Sequence, residues 1–256
     1  MTSRARTIAL ELALPATLVA VWWQVSSSST SVYFPPLSDI VARFRELWLF
    51  DRVGVDVVPS LINLFAGEAI AIAVGIAIGF ALGSSPWLHA TVSPVLEFLR
   101  CMPAVVLLPL AIQLLGLSHT MRIAFIAFGA MWPVLLNTID GVRSLDPAVR
   151  DVMRAYRISP RERMLHVVLP AASPRIFVGV RASLAVAVIL MVASELLGAS
   201  AGIGFFVLES QRQFSIPEMW SGILLLGMLG YSLNLAFGMV EHRMLRWHRG
   251  LREGSR

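Results

Sequence analysis

Six long apolar stretches dominate this sequence and restrict what the chain can fold into. A helix needs about 20 mostly apolar residues to cross a bilayer core, where its backbone groups must pair internally. With 57% hydrophobic and only 14% charged residues, the chain is too apolar for an ordinary soluble domain. The sequence therefore predicts an all-α, polytopic membrane protein with about six transmembrane helices. The stretches run approximately over Thr7–Val25, Ser60–Gly83, Val95–Leu117, Met121–Ile139, Arg175–Gly198 and Met219–Val240.

The first stretch also has features of a signal peptide. Arg4 and Arg6 precede its apolar centre, but residues 26–30 offer no convincing small-residue cleavage site. We therefore expect this stretch to remain as an uncleaved membrane helix.

The arginines are distributed unevenly along the chain. All 21 basic residues are arginines, and they concentrate before the first stretch, in the loop 140–173 and in the tail after residue 240. The positive-inside rule therefore predicts a multi-pass inner-membrane protein with both termini in the cytoplasm. Because these arginines separate apolar runs instead of forming one polar face, the net charge of +5 does not indicate binding to nucleic acid.

The sequence predicts three parts. Residues 1–59 hold the first membrane helix and a segment outside the membrane, residues 60–241 hold the other five spans, and residues 242–256 form a basic cytoplasmic tail. Within the first part, Ile40, Phe44, Leu47 and Trp48 recur at helical spacing. This pattern predicts a short helix lying in the membrane interface.

Small residues and prolines mark the interiors of three spans. Gly67, Ala71, Gly75, Gly79 and Gly83 follow one another at intervals of four and favour close helix packing, although glycine is also simply common in membrane helices. Prolines should bend or locally unwind the third and fourth spans. These prolines are Pro103, Pro109 and Pro133.

The loop from Asp140 to Ser173 is too long for a simple connection. Asp146-Pro147 and Ser159-Pro160 are typical helix starts, and the second helix should end near Pro170. The pattern predicts two basic amphipathic helices. From the residues alone, they could lie on anionic lipid or dock into a groove on a soluble partner.

This loop resembles the conserved cytoplasmic loop of bacterial importer permeases. That pattern reads Glu-Ala-Ala, three residues, Gly, nine residues, Ile, one residue, Leu-Pro. Here Asp151-Val152-Met153, Arg157 and Val167–Pro170 keep the spacing, with Arg157 in place of the glycine. A residue other than glycine costs roughly 1 kcal/mol if the turn needs a positive φ.

Further segments are similar to one subgroup, the sulfonate, taurine and nitrate type of permease, and the resemblance extends from about Phe34 to Trp247. It implies the fold of a type I importer permease of the ATP-binding-cassette (ABC) class. The segments are Glu97–Arg100 with Met102-Pro103, Phe128-Gly129, Pro133–Thr138, Gly141–Arg143, Glu195–Ser200 and Gly202–Gly204.

The resemblance also implies a mechanism. Two permease subunits, expected as a homodimer in the lipid bilayer, would form the pathway, a pair of cytoplasmic ATPase subunits would receive the loop, and an extracytoplasmic binding protein would deliver a small solute. The coupling contacts would then be polar at Asp151, Arg154 and Arg157, with Val152, Met153 and Tyr156 as apolar anchors. Each of the three charges could equally belong to a solvated helix face.

Several charged residues lie in or near the predicted spans, where isolated charges are costly. Glu97 and Arg100 are three residues apart and should pair at the cytoplasmic end of the third span. Glu195 precedes a glycine-rich stretch, where it could gate the pathway, meet the binding protein or make a structural hydrogen bond. The other two such residues are Glu68 and Arg181.

Catalysis and cofactors are not expected. Without lysine the chain cannot form a phosphate-binding Gly-x-x-x-x-Gly-Lys loop, so ATP hydrolysis would belong to a partner chain. Gly198–Gly202 fits Gly-x-Ser-x-Gly but follows a membrane helix, not a strand. The five histidines never recur at i, i+4, and Cys101 is the only cysteine, so no metal site is expected. The alternative function is an ion-coupled carrier that works alone; few charges lie at mid-membrane to support it.

Overall fold

The computed structural model describes residues 2–246, with side chains from Ala13 onward except Phe50. Within that range the structure consists of helices and their connections, which confirms the all-α prediction. Wide π-turns at Leu47–Asp51 and Val53–Val57 lead into α3, another at Arg163–Val168 joins α8 to α9, and a 3₁₀ turn at Ala104–Leu107 leads into α5. The α-helices are α1 Thr2–Ser26, α2 Leu37–Glu46, α3 Val58–Ser84, α4 Pro86–Cys101, α5 Leu108–Leu115, α6 His119–Arg143, α7 Pro147–Ala155, α8 Pro160–Glu162, α9 Leu169–Leu196, α10 Ile203–Arg212 and α11 Ile216–Met244.

Four of the predicted spans are confirmed as helices long and apolar enough to cross a bilayer: Val53–Ser84, His119–Arg143, Pro160–Leu196 and Ile216–Met244. The first predicted span lies within α1, whose apolar part with described side chains is Ala13–Ser26. The basic tail beyond Arg246 lies outside the described residues.

The third predicted span, Val95–Leu117, is interrupted beside Pro103, which confirms the effect predicted for this proline. Pro86–Cys101 and Ala104–Leu115 meet at an angle of 84°, with extended backbone at Met102 and Pro103 between them. Pro103 explains the break, because proline disfavours helical backbone at the preceding residue and cannot donate a helix hydrogen bond. By contrast, Pro133 leaves α6 as one continuous α-helix, so the expected unwinding there does not occur.

The core of the bundle is formed by α3, α6 and α9. The row of small residues on α3 faces α6: a Cβ built on Gly79 would lie 2.6 Å from Thr138 Cβ, and one on Gly67 would lie 2.7 Å from Ile126 Cβ. Real Cβ atoms do not approach this closely, so the glycines allow the two helices to touch. The predicted tight packing is confirmed.

We expect Gly79→Ala to destabilise the protein, by about 1–3 kcal/mol, because the new methyl group overlaps Thr138 and the carbonyl oxygen of Leu135. Gly227→Ala is the matched control, since nothing lies within 4 Å of its Cβ position on α11. Alanine is the better helix former there and should be neutral or stabilising. Thermal unfolding in detergent measures both variants; equal effects would contradict the close contact.

The bundle has two distinct ends. The "loop end" carries the connection from α6 to α9, where Ser84, Arg143 and Met153 line one cavity. The "opposite end" carries α10 and the first turns of α11. There the Trp48 indole donates to Ser221 Oγ at 3.1 Å and Arg43 pairs with Glu218 at 3.3 Å.

The predicted helix between the first two spans exists as α2, and two residues of its apolar stripe are buried against the bundle. Ile40 is 1% exposed and Trp48 is 5% exposed, because they are buried where α2 and the following turn pack against α11. Trp48 also meets Phe206 edge to face, with 4.8 Å between ring centroids. This half of the stripe therefore belongs to the protein core, while Phe44 and Leu47 are half-buried.

Candidate functional site

The connection between α6 and α9 begins with the predicted short helix. Asp146 caps α7, accepting a hydrogen bond from the Ala148 backbone N–H at 2.8 Å. Arg150 Nη2 donates to the Arg143 carbonyl oxygen at 3.0 Å and so ties α7 to the end of α6. This bond links α7 to α6, one of the helices long and apolar enough to cross a bilayer.

The second half of the connection differs from the prediction. Ser159 and Glu162 form a capping box that starts α8, as expected. The helix does not end at Pro170, however, because it continues through a π-turn into α9 and runs to Leu196. Pro170 lies in the first turn after the π-turn, where a missing N–H is tolerated.

Arg157 occupies the turn between α7 and α8 with a positive φ of 48°. The Ile158 N–H donates to the Met153 carbonyl at 3.1 Å, and the Arg157 N–H donates to the Arg154 carbonyl at 3.1 Å. These bonds complete the end of α7. The expected left-handed turn is confirmed, and arginine adopts it at a cost of roughly 1 kcal/mol relative to glycine.

The predicted contact residues divide between two faces of α7. Val152 and Tyr156 are 53% and 79% exposed, and Asp151 and Arg154 form an exposed pair at 3.5 Å. Arg157 is also exposed. The interpretation of Met153 as an anchor for a partner is wrong for this conformation, because Met153 is 5% exposed and faces the chain's own cavity.

The cavity behind Met153 measures about 320 Å³ and is strongly basic. Four arginines line it and no acidic residue does: Arg143, Arg150, Arg154 and Arg163. Apolar side chains, including Val142 and Val168, line the rest. The cavity separates α7 from the ends of α3 and α6 and leaves the Val152 side of α7 free.

At the opposite end, a buried polar cluster holds the glycine-rich segment 198–204. Glu195 is 1% exposed, accepts from Ser60 Oγ at 2.6 Å and accepts from the Gly204 N–H at 2.9 Å. Asp56 accepts from the Gly202 N–H at 3.0 Å, and Ser60 Oγ accepts from the Ile203 N–H at 3.0 Å. Of the alternatives for Glu195, the structural hydrogen bond is the one observed.

The other charges singled out from the sequence also have partners. Arg100 pairs with Glu97 at 2.6 Å as predicted, beside the break after α4. Arg181 pairs with Glu241 of α11 at 3.2 Å. Glu68 is buried in the core and its Oε2 lies 3.0 Å from Ser183 Oγ. Among the described residues, no group of three or more His, Cys, Asp or Glu side chains could hold a metal.

Comparison with known proteins identifies this arrangement. Residues 71–246 match the family described as the binding-protein-dependent transport system inner membrane component. The chain belongs to this family. It is therefore a multi-pass inner-membrane permease component of the type used by ABC importers, and the resemblance stated from its motifs is confirmed.

The permease has relatives along nearly its whole length. It is 31% identical over 236 residues to the bicarbonate transport system permease protein of Synechococcus elongatus, covering 88% of this chain and 85% of that protein. It is 26% identical over 254 residues to the taurine transport system permease protein of Escherichia coli, covering 95% and 91%. A chain of the inward-facing MetNI methionine ABC transporter shares the fold, with a TM-score of 0.66, 19% identity and coverage of 73% and 94%.

Sequence reasoning missed two parts of the permease. Asp56 and Ser60 carry no motif, and they lie 146 and 143 residues from the backbone groups that they bind. No local signal could have joined them to the glycine-rich segment. The inward direction of Met153 had no such signal either, because Val149, Val152, Met153 and Tyr156 share the i, i+3, i+4, i+7 spacing of one apolar stripe.

Proposed function

We propose that this permease forms the membrane pathway of an ATP-driven importer and couples to a separate ATPase through α7. The observation that carries the proposal is the two-sided α7. One side is tied to α6 by Arg150 and carries the buried Met153, and the other presents the exposed apolar side chains Val152 and Tyr156. An amphipathic helix of this kind fits a hydrophobic groove on a soluble partner.

The assembly follows from the family. We propose two copies of this chain around one pathway, two ATPase subunits below the loop end and a binding protein at the opposite end, with both termini in the cytoplasm. An exposed apolar surface on α4, α5 and the 3₁₀ turn between them supports the pairing of two copies, because large apolar patches mark interaction surfaces or lipid contacts. Its residues include Val95, Phe98, Val106, Leu110 and Leu114.

The solute that we propose is a small polar molecule with an anionic group. The relatives named for bicarbonate and taurine transport support this class, since each of these solutes carries an oxyanion, which is carboxylate-like in bicarbonate and a sulfonate in taurine. The chain itself has no phosphate-binding loop because it has no lysine, so ATP hydrolysis falls to the partner.

Reconstitution into liposomes tests this function. We expect no uptake of taurine, bicarbonate or nitrate by the permease alone, and ATP-dependent uptake of at least one of them when the ATPase and binding protein encoded with it are included. An ion-coupled carrier gives the opposite result, with uptake by the chain alone that follows an imposed proton or sodium gradient. That result would replace the importer with the carrier.

A further inference from the structure

An exposed ion pair stands beside the break in the third span. Arg100 Nε and Nη2 both donate to Glu97 Oε2, at 3.0 and 2.6 Å. The two side chains are 45% and 57% exposed. A guanidinium has five N–H donors, and the other three of Arg100 have no partner among the described residues. The pair therefore retains capacity to bind a further acceptor.

The pair lies on the surface of the bundle, near the middle of its height. Leu96, next to Glu97, packs with Leu135 of α6, and Ala104, just after the break, lies against Gly129 of the same helix. At 1.5 Å per residue, Leu135 is about 12 Å from the loop end of α6 and Gly129 about 15 Å from its other end. The ion pair and the break therefore sit at the depth of the hydrocarbon core.

Lipid is an unfavourable neighbour for this surface. Charges at this depth face a water-filled cavity or other protein, and non-helical backbone is tolerated only in the same places. Met102 and Pro103 supply such backbone, with extended conformations directly after the pair. Both features share one location, so the surface of α4 at Arg100 faces water or protein in the assembled transporter, and not lipid.

We propose that Arg100 is an anion-binding residue of the translocation pathway, with Glu97 as its positioning residue. This rests on the proposed importer and names where its solute would bind. A guanidinium suits planar or tetrahedral oxyanions because its donors match two oxygens at once. Glu97 holds the guanidinium in place and weakens its positive field, so that a bound anion can leave, as conduction requires.

Cys101 provides a built-in probe, since it is the only cysteine of the chain, is exposed and adjoins Arg100. In the transporter reconstituted with its ATPase and binding protein, two methanethiosulfonate reagents of similar size are compared, one with a sulfonate and one with a trimethylammonium group. Labelling of this chain is followed by mass spectrometry. Any change in thiol reactivity affects both rates equally, so their ratio reports the local charge.

We expect both reagents to reach Cys101 from water. The anion-to-cation rate ratio should fall on the order of tenfold in Arg100→Gln and rise in Glu97→Gln, because one nearby charge is removed each time. Arg43→Gln is the matched control: it breaks the same kind of i, i+3 pair with Glu46 on α2 and should leave the ratio unchanged. Unreactive Cys101, or a ratio unaffected by Arg100→Gln, would overturn the proposal.

Uptake supplies the second measurement. Losing a charge-assisted hydrogen bond to the solute should lower ATP-driven uptake of the transported anion at least about tenfold in Arg100→Gln, with partial recovery in Arg100→Lys. Unchanged uptake in Arg100→Gln would overturn the role of Arg100 while leaving the importer intact. If the native complex shows no ATP-driven uptake, the importer fails instead, and the labelling ratio still decides whether Arg100 faces a water-filled path.

Discussion

Replacing Val152 and Tyr156 together with aspartate is expected to abolish both capture of the ATPase and ATP-driven uptake. The two side chains are 53% and 79% exposed on the free side of α7, so the chain itself loses little packing. In a partner groove, each aspartate would bury an unpaired charge at a cost of several kcal/mol. A combined loss of at least about 4 kcal/mol corresponds to roughly a thousandfold weaker binding.

Co-purification of the tagged permease with its co-expressed ATPase measures this effect. The chain offers a matched control, because Val32 and Tyr33 are an equally exposed valine and tyrosine in the connection from α1 to α2. Val32→Asp with Tyr33→Asp should leave ATPase capture intact. Met153 stays native in both variants, since an aspartate at that buried position would damage the loop itself. Normal capture by the Val152 and Tyr156 variant would remove α7 as the coupling element.

Much of the architecture could be predicted because its signals are local. Hydropathy located the spans that α3, α6, α9 and α11 confirm. The four-residue spacing from Gly67 to Gly83 predicted that α3 packs closely against another helix, which is α6. Capping residues located the start of α7. Each of these features depends on side chains within a few turns of one helix, where period and spacing have direct physical meaning.

The remaining features depend on contacts between distant segments. An interruption at Pro103 was predicted, but the size of the 84° bend was not, because it depends on a place in the bundle where extended backbone is tolerated. The burial of Ile40 and Trp48 was not predicted, because an apolar stripe can pack equally well against lipid or against another helix such as α11. The continuation of the helix past Pro170 required a π-turn, which has no simple sequence pattern.

The cluster at the opposite end is the least predictable part and leads to the second large effect. We expect Glu195→Ala to destabilise the permease by about 3 kcal/mol, because Ser60 and the Gly204 N–H lose their acceptor in a buried place. Glu195→Gln should cost much less. Its amide oxygen can accept from Gly204, its NH₂ can donate to Ser60, and the Ser60 hydroxyl can then donate to the Asp56 carbonyl at 2.9 Å.

Thermal unfolding in detergent separates the two variants, since each kcal/mol shifts the midpoint by about 2–4 °C for a chain of this size. A large decrease for Glu195→Ala with a small one for Glu195→Gln shows that hydrogen bonding anchors the glycine-rich segment. Equal decreases would instead assign the anchoring to the negative charge of Glu195. A Cβ on Gly202 would lie 2.5 Å from Glu195 Cδ, so this segment has room for the carboxyl group only while residue 202 lacks a side chain.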